Sequence, residues 1–349
     1  MNKRYNVLDL FSGAGGFSYG FKNAGFNIVA AIEKDMDAIK THELNFPDSK
    51  IFNRDITTFT DNEINSLFSN VDIIIGGPPC QGFSIANLKR DILDPRNKLF
   101  LEYVKFVRLI KPKIFILENV KGLLSLNKGQ TKDAILFLFS ELGYNIEYQV
   151  LNSADYGIPQ KRQRVFFVGV RSDLNKRFTF NLEKENLVTI EEAIKDLYHN
   201  NGSKDGNIEQ QLEPITSYQK KIWDSPIIKN HYSSALKEVT LNKIKYVSEG
   251  QNWRSIPKEL LGNKERFSTA YYRLDSQDIS PTVDTFHRNI FHPKVDRFPT
   301  VRENARLQSF PDSFVFIGSK TSQYKQVGNA VPPILAEKLG NAIKDLLEN

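Results

Sequence analysis

Tyr5-Asn6-Val7-Leu8-Asp9-Leu10-Phe11-Ser12-Gly13-Ala14-Gly15-Gly16 is the stretch that decides the fold. Tyr5 to Phe11 is a strand candidate that runs into a glycine cluster, and a helix-like stretch follows and ends at Gly25. Glycines at such a junction let the backbone turn tightly and approach a ligand closely. Further strands are predicted at Asn27 to Ile32, closed by Glu33, and at Val71 to Ile75, stopped by Gly76-Gly77-Pro78-Pro79. Ile114 to Leu117, ending in Glu118-Asn119, and Arg164 to Val170 complete the set, with a helical stretch from Leu99 to Ile110. Strands alternating with helices predict an α/β fold with a mostly parallel sheet. Ligands of such sheets bind at the strand C-termini, where each of these polar clusters sits.

The third glycine of a dinucleotide fingerprint would fall at position 18, which is Ser18, so a nicotinamide cofactor is weakly supported. A nucleoside-containing cofactor fits the turn, with Phe11 as an aromatic face and Glu33 as acceptor for ribose hydroxyls; a tight turn with no ligand fits it too. His42 falls in a helical stretch and is expected at the surface. After about Lys176 the alternation fades, and a helical tail returns from Ile334 to Leu347. The stretch between, rich in Tyr, Trp, His and Asn, is expected to form a second, smaller irregular domain.

Composition narrows the class. With 40% hydrophobic and 25% charged residues, the 349-residue chain reads as an ordinary soluble globular protein. A net charge of +6 suits an anionic partner without requiring one. The single cysteine excludes an intrachain disulfide, and with five scattered histidines no metal site is expected. No apolar run approaches the ~18 residues of a membrane span. The basic start Lys3-Arg4 is followed by an apolar stretch broken at Asp9, so a signal peptide is not expected and the compartment is read as cytoplasmic.

That one cysteine lies in Gly76-Gly77-Pro78-Pro79-Cys80-Gln81-Gly82-Phe83-Ser84. Paired prolines after an apolar strand stiffen the exit and hold Cys80 in place. A lone cysteine is commonly a small buried hydrophobe. A loop at a strand end, however, can supply the exposure and thiolate stabilisation that a nucleophile needs. No histidine lies near another strand end of this domain, which disfavours peptidase chemistry. Glu118 could grip a ring nitrogen and its neighbouring amine, and partial burial would raise its pKa so that it could protonate that nitrogen; a helix cap or surface acid is the plainer reading. Strand alternation would project Arg162 and Arg164 to the same side, suited to phosphate or carbonyl oxygens, or simply to a solvated basic edge.

Taken together these segments resemble the DNA (cytosine-5)-methyltransferases of bacterial restriction–modification type, over nearly the whole chain. The ordered blocks are Asp9 to Gly16, Gly77 to Ser84, Glu118-Asn119-Val120, Gln160-Lys161-Arg162-Gln163-Arg164, Arg302 to Pro311 and Gly328-Asn329-Ala330-Val331-Pro332. The resemblance implies the S-adenosylmethionine-dependent methyltransferase fold, S-adenosyl-L-methionine as cofactor with no metal, and double-stranded DNA as substrate. It also implies a catalytic domain over 1–175, a target-recognition domain over 176–321 and a segment 322–349 returning to the first. Catalysis would fall to Cys80, Glu118, Arg162 and Arg164, with Cys80 adding to C6 of a flipped-out cytosine. Phe11, Gly13, Gly15, Gly16, Glu33, Asp55, Ile56, Pro78, Asn329 and Val331 would hold the cofactor. Gln81, Ser84, Arg96, Thr282, Thr285, His287, Arg288 and Asn289 would meet DNA, and Gln81 through Arg96 is expected to close over it as a mobile loop. A monomer near the nucleoid is implied, protecting DNA from a restriction endonuclease that it need not touch. A tRNA cytosine-5 methyltransferase usually lacks a large recognition domain and carries a Cys-Phe-Thr segment absent here. A catalytically silent DNA-binding protein would not need Cys80, Glu118 and Arg164 intact.

Overall fold

The computed structural model describes residues 4–79, 98–198, 208–209, 214–261, 270–286 and 290–348. Two compact units emerge, one of Met1–Asn152, Gln163–Glu183 and Pro333–Asn349, the other of Ser153–Arg162 and Lys184–Pro332.

The first unit is built on a sheet. Its strands are β1 (Asn6–Leu10), β2 (Asn27–Glu33), β3 (Lys50–Asn53), β4 (Ile73–Gly76), β5 (Ile114–Val120), β6 (Tyr144–Asn152) and, after the short β7 (Gln160–Lys161) of the other unit, β8 (Gln163–Arg171). Among the described residues these seven lie in the order β3-β2-β1-β4-β5-β8-β6. All pairs from β3 to β5 are parallel, while β8 runs antiparallel to both β5 and β6. Central strands of such a sheet are covered on both faces and therefore read as unbroken apolar runs, as Ile73–Ile75 does. The chain leaves β1 outward to β2 and β3, then returns to β4 on the opposite flank of β1. That reversal opens a crevice at the carboxyl ends of β1 and β4, the place where ligands enter open α/β sheets.

Helices follow the strands: α1 (Gly16–Asn23), α2 (Met36–Asn45), α3 (Asp61–Leu67), α4 (Lys98–Ile110) and α5 (Gln130–Glu141). Helix α4 buries Phe100, Tyr103, Phe106 and Val107, one stripe at helical spacing. The Tyr103 hydroxyl donates to the Ile116 carbonyl at 2.9 Å, so its burial leaves no orphaned group. Phe115 and Phe139 pack with centroids 4.1 Å apart in the same core. The C-terminal helix Pro333–Glu348 returns to this unit and lies against α1. Its approach is so close that a Cβ on Gly20 would sit 2.4 Å from the Pro333 carbonyl oxygen.

The second unit has a different construction. Among its described residues every strand is two residues long, and its order comes from buried charge. Arg306, fully buried, donates to Asp196 at 2.6 and 2.9 Å and to Asp312 at 2.9 and 2.8 Å. Arg302, also fully buried, donates to the carbonyls of Lys229, Pro311 and Phe314. Arg297 forms a two-pronged pair with Glu303 at 2.7 and 2.6 Å. Burial alone would raise the Glu303 pKa, but Arg297 and His292 hold it well below the usual carboxylate range. The residues Arg302 to Pro311, met above as a motif, are thus the packing centre of this unit.

Candidate active site

The turn after β1 is strained into place. Phe11 adopts φ 60°, a left-handed conformation unusual for a residue with a side chain, and Gly15 has φ 96°. A Cβ on Gly15 would lie 2.5 Å from the Phe46 ring and 2.9 Å from His42 Nδ1, so the position needs glycine for space as well. Gly16 opens α1. The Gly13 backbone N–H donates to Glu33 Oε2 at 2.9 Å, and Glu33 Oε1 accepts from the N–H groups of Lys34 and Asp35 at 2.8 and 2.9 Å. These bonds fasten the end of β2 to the turn. A carboxylate has about four acceptor directions, so one remains for a ligand hydroxyl.

Asp9 lies under this turn, 1% exposed, and accepts a hydrogen bond from the Ser18 hydroxyl at 2.6 Å. Burial, reinforced by the nearby Glu33 carboxylate and opposed by the Ser18 hydrogen bond, pushes its pKa up to about 7. Ser18, noted in the sequence only as a missing glycine, thus anchors β1 to α1. His42 is not at the surface as expected. It is fully buried, stacks on Phe46 at 4.4 Å, and burial lowers its pKa to about 4. Helix α2 turns this face toward the glycine turn, where the ring fills space beside Gly15.

Asp55 caps the turn Ile56–Thr58, its Oδ1 accepting from Thr57 N at 3.0 Å, and Ile56 is buried. That backbone bond, with Lys34 and Lys98, holds the Asp55 carboxyl below its ordinary range, although burial opposes them. The preceding Arg54 is engaged elsewhere, with Glu63 at 2.8 and 3.1 Å and over the Phe59 ring at 4.2 Å.

At the ends of β4 and β5 a second group gathers. Glu118 Oε1 lies 3.1 Å from Arg164 Nε, both side chains largely buried. Val120 pairs with Arg164 across the antiparallel β5–β8 ladder, so Glu118, two residues before Val120, shares the arginine's face. A Cβ on Gly77 would lie 3.0 Å from Glu118 Oε2, and Asn119 Nδ2 donates to the Pro78 carbonyl at 2.9 Å. The strand exit leading to Cys80 is therefore fixed to the end of β5. Asn119 was visible in the sequence beside Glu118, but nothing there marked it as the clamp.

In the second unit, Arg162 lies between strands rather than in one, so strand alternation does not direct it. It is 2% exposed, not on a solvated edge, and its Nη1 donates to the Gly328 carbonyl at 2.9 Å. The Gly328 carbonyl immediately precedes Asn329, which is exposed, and Val331, which is buried. Thr282 Oγ1 donates to the Lys161 carbonyl at 2.8 Å, and Thr285 is half-buried. Gln160 joins these parts. Its Oε1 accepts from Val283 N at 2.9 Å, and its Nε2 donates to the Leu307 carbonyl at 3.2 Å. Sequence reasoning quoted Gln160 but gave it no role. The expectations for Cys80, Gln81, Ser84, Arg96, His287, Arg288 and Asn289, and for a loop closing over DNA, lie outside the described residues. Among the described residues no helix is long and apolar enough to cross a membrane.

A mostly parallel sheet with a glycine turn after its first strand and acidic groups at the ends of the next two has the build of a nucleoside-binding α/β fold. The chain belongs to the C-5 cytosine-specific DNA methylase family, which it matches over residues 5–345. It is 39% identical to the type II methyltransferase M.DdeI of Desulfomicrobium norvegicum, covering 99% of this chain and 89% of the other. It is 38% identical to the type II methyltransferase M1.HphI of Haemophilus parahaemolyticus, covering 98% and 87%. A crystal structure described as a DNA modification methyltransferase encoded within an E. coli prophage superposes with a TM-score of 0.83 at 29% identity, over 99% of this chain and 100% of that one. The protein is a DNA cytosine-5 methyltransferase, and its family and fold imply S-adenosylmethionine as methyl donor. The first unit fits that group. The Ser12 hydroxyl is buried with no hydrogen-bond partner among the described residues, and a Cβ on Gly13 would meet nothing within 4 Å. Glu33 and Asp55 suit a ribose and a cationic donor.

Proposed function

We propose that Cys80, Glu118 and Arg164 carry the methylation of a cytosine flipped out of duplex DNA. The pairing of Glu118 with Arg164 at 3.1 Å, beside the Gly77-Pro78 exit that leads to Cys80, carries this reading. Cytosine C5 is a poor nucleophile until electrons are pushed into the ring. The Cys80 thiolate adds to C6 while Glu118 hydrogen-bonds N3 and the exocyclic amine. Arg164, already holding Glu118, reaches the O2 carbonyl. S-Adenosylmethionine supplies an electrophilic methyl group to C5. Loss of the C5 proton to a base and expulsion of the Cys80 thiolate restore the aromatic ring. A free thiol with pKa near ~8.5 is only a few per cent ionised at neutral pH, so the site must favour the thiolate.

Phe11, Gly13, Gly15, Gly16, Glu33, Asp55, Ile56 and Pro78 hold the donor, joined by Asn329 and Val331. No metal takes part. Arg162 positions the segment that ends in Asn329 through the Gly328 carbonyl. Thr282 and Thr285 read the base sequence. The type II names of the relatives support a role in protecting DNA from a cognate endonuclease.

The test is a duplex carrying 5-fluorocytosine at the target, where fluorine cannot leave as a proton and the adduct persists. The wild type should give a protein–DNA band that survives denaturation. Cys80→Ser should give none while still binding cofactor. A persistent band from Cys80→Ser would refute the assigned nucleophile.

A further inference from the structure

The segment Thr282–Phe286 is gripped by its backbone from several sides. Ser280 and Pro281 pair with Gln160 and Lys161, and Val283 N donates to Gln160 Oε1 at 2.9 Å. Thr282 Oγ1 donates to the Lys161 carbonyl at 2.8 Å. Gly328 admits the next residues so closely that a Cβ there would sit 2.3 Å from the Asp284 carbonyl oxygen. Phe286 ends this braced stretch, its N–H donating to Asp284 Oδ1 at 2.8 Å. Its ring is 71% exposed, more than any other large hydrophobic side chain among the described residues. Single exposed apolar residues are ordinary on protein surfaces. This one is presented by a fixed backbone, within the segment read above as base-reading, on which the inference rests.

Phenylalanine has no donor or acceptor, so it cannot address a base edge by hydrogen bonding. The apolar group that a base pair offers in the major groove is the C5 methyl of thymine. We propose that Phe286 is a specificity-determining residue that packs on a thymine methyl within the recognition sequence. Its neighbour Thr285 has a hydrogen-bonding side chain that can address a donor or acceptor of an adjacent pair.

Bisulfite sequencing of DNA from cells expressing the protein defines the sequence. Each thymine in a cognate duplex is then replaced singly by uracil, which pairs identically and lacks only the methyl. The wild-type kcat/KM should fall about fourfold at one position, the worth of burying one such group. Phe286→Ala should show no thymine-over-uracil preference there, and Phe286→Leu should keep part of it. Equal thymine-to-uracil ratios in wild type and Phe286→Ala at every position, or a recognition sequence without an A·T pair, would overturn the proposal. The base-reading role of the segment is measured separately by Thr285→Ala on cognate and singly mismatched duplexes. Loss of discrimination there, with no uracil effect, would retain the segment's role and reject that of Phe286.

Discussion

The two units bury opposite kinds of side chain. The sheet unit fills its interior with Ile73, Ile74, Phe115, Ile116 and Leu117, and keeps the buried Asp9 and His42 beside the glycine turn after β1. The second unit places Glu303, Arg306 and Asp312 at its centre, fully buried and ion-paired, with the buried Arg302 held by backbone carbonyls. Apolar packing tolerates substitution that conserves volume, whereas a buried charge tolerates almost none unless its partner changes too. The comparison teaches that one protein can hold one compact unit by hydrocarbon and another by buried charge.

Breaking that contrast starts with Arg306→Ala, which strands Asp196 and Asp312 without their cation. A loss of about 3–5 kcal/mol is expected, read from denaturant unfolding of the second unit. A loss below about 1 kcal/mol would mean that the charges are not what orders it.

Asp9→Asn probes the polar exception in the sheet unit. Between pH 3.8 and about 7 the native state keeps a proton that the unfolded chain has released, so wild-type stability falls as pH rises across that window. Asparagine removes the titration while its carbonyl still accepts from Ser18. The variant's stability relative to wild type should therefore be about 2–3 kcal/mol more favourable at pH 8 than at pH 5. A pH-independent difference would show that Asp9 is ionised in the native state throughout.

His42→Leu runs the other way. The unfolded chain takes up a proton below pH 6.5 that the buried imidazole refuses until about 4, so wild-type stability is lost as pH falls through that interval. The variant's stability relative to wild type should be about 2 kcal/mol more favourable at pH 5 than at pH 8. Thermal melts at the two pH values decide it, and an unchanged difference would place His42 in contact with water.

The same contrast explains what could be read in the sequence. The strands β1, β2, β4, β5 and β8 announced themselves because burial on both faces demands apolar residues at successive positions. The unrecognised strands β3 and β6 are the two edges, where Lys50, Glu147 and Gln149 interrupt the pattern. His42 misled because a titratable residue in a polar helix reads as exposed, and only the tertiary packing of Phe46 and Gly15 shows otherwise. Glu118 and Arg164 were legible as individuals, but their shared face follows from the β5–β8 register, which no local pattern encodes. Arg162 was found by type and misplaced by geometry, since the chain leaves β7 before it and enters β8 after it. The second unit stayed opaque because its buried positions are polar, so hydrophobic periodicity has nothing to report there.

The bond from Val283 N to Gln160 Oε1 bears on how freely the sequence of this loop can vary. An amide N–H is offered by every amino acid but proline, so this fastening does not depend on the identity of the residue that supplies it. Neighbouring side chains can therefore be exchanged while the loop's anchorage persists.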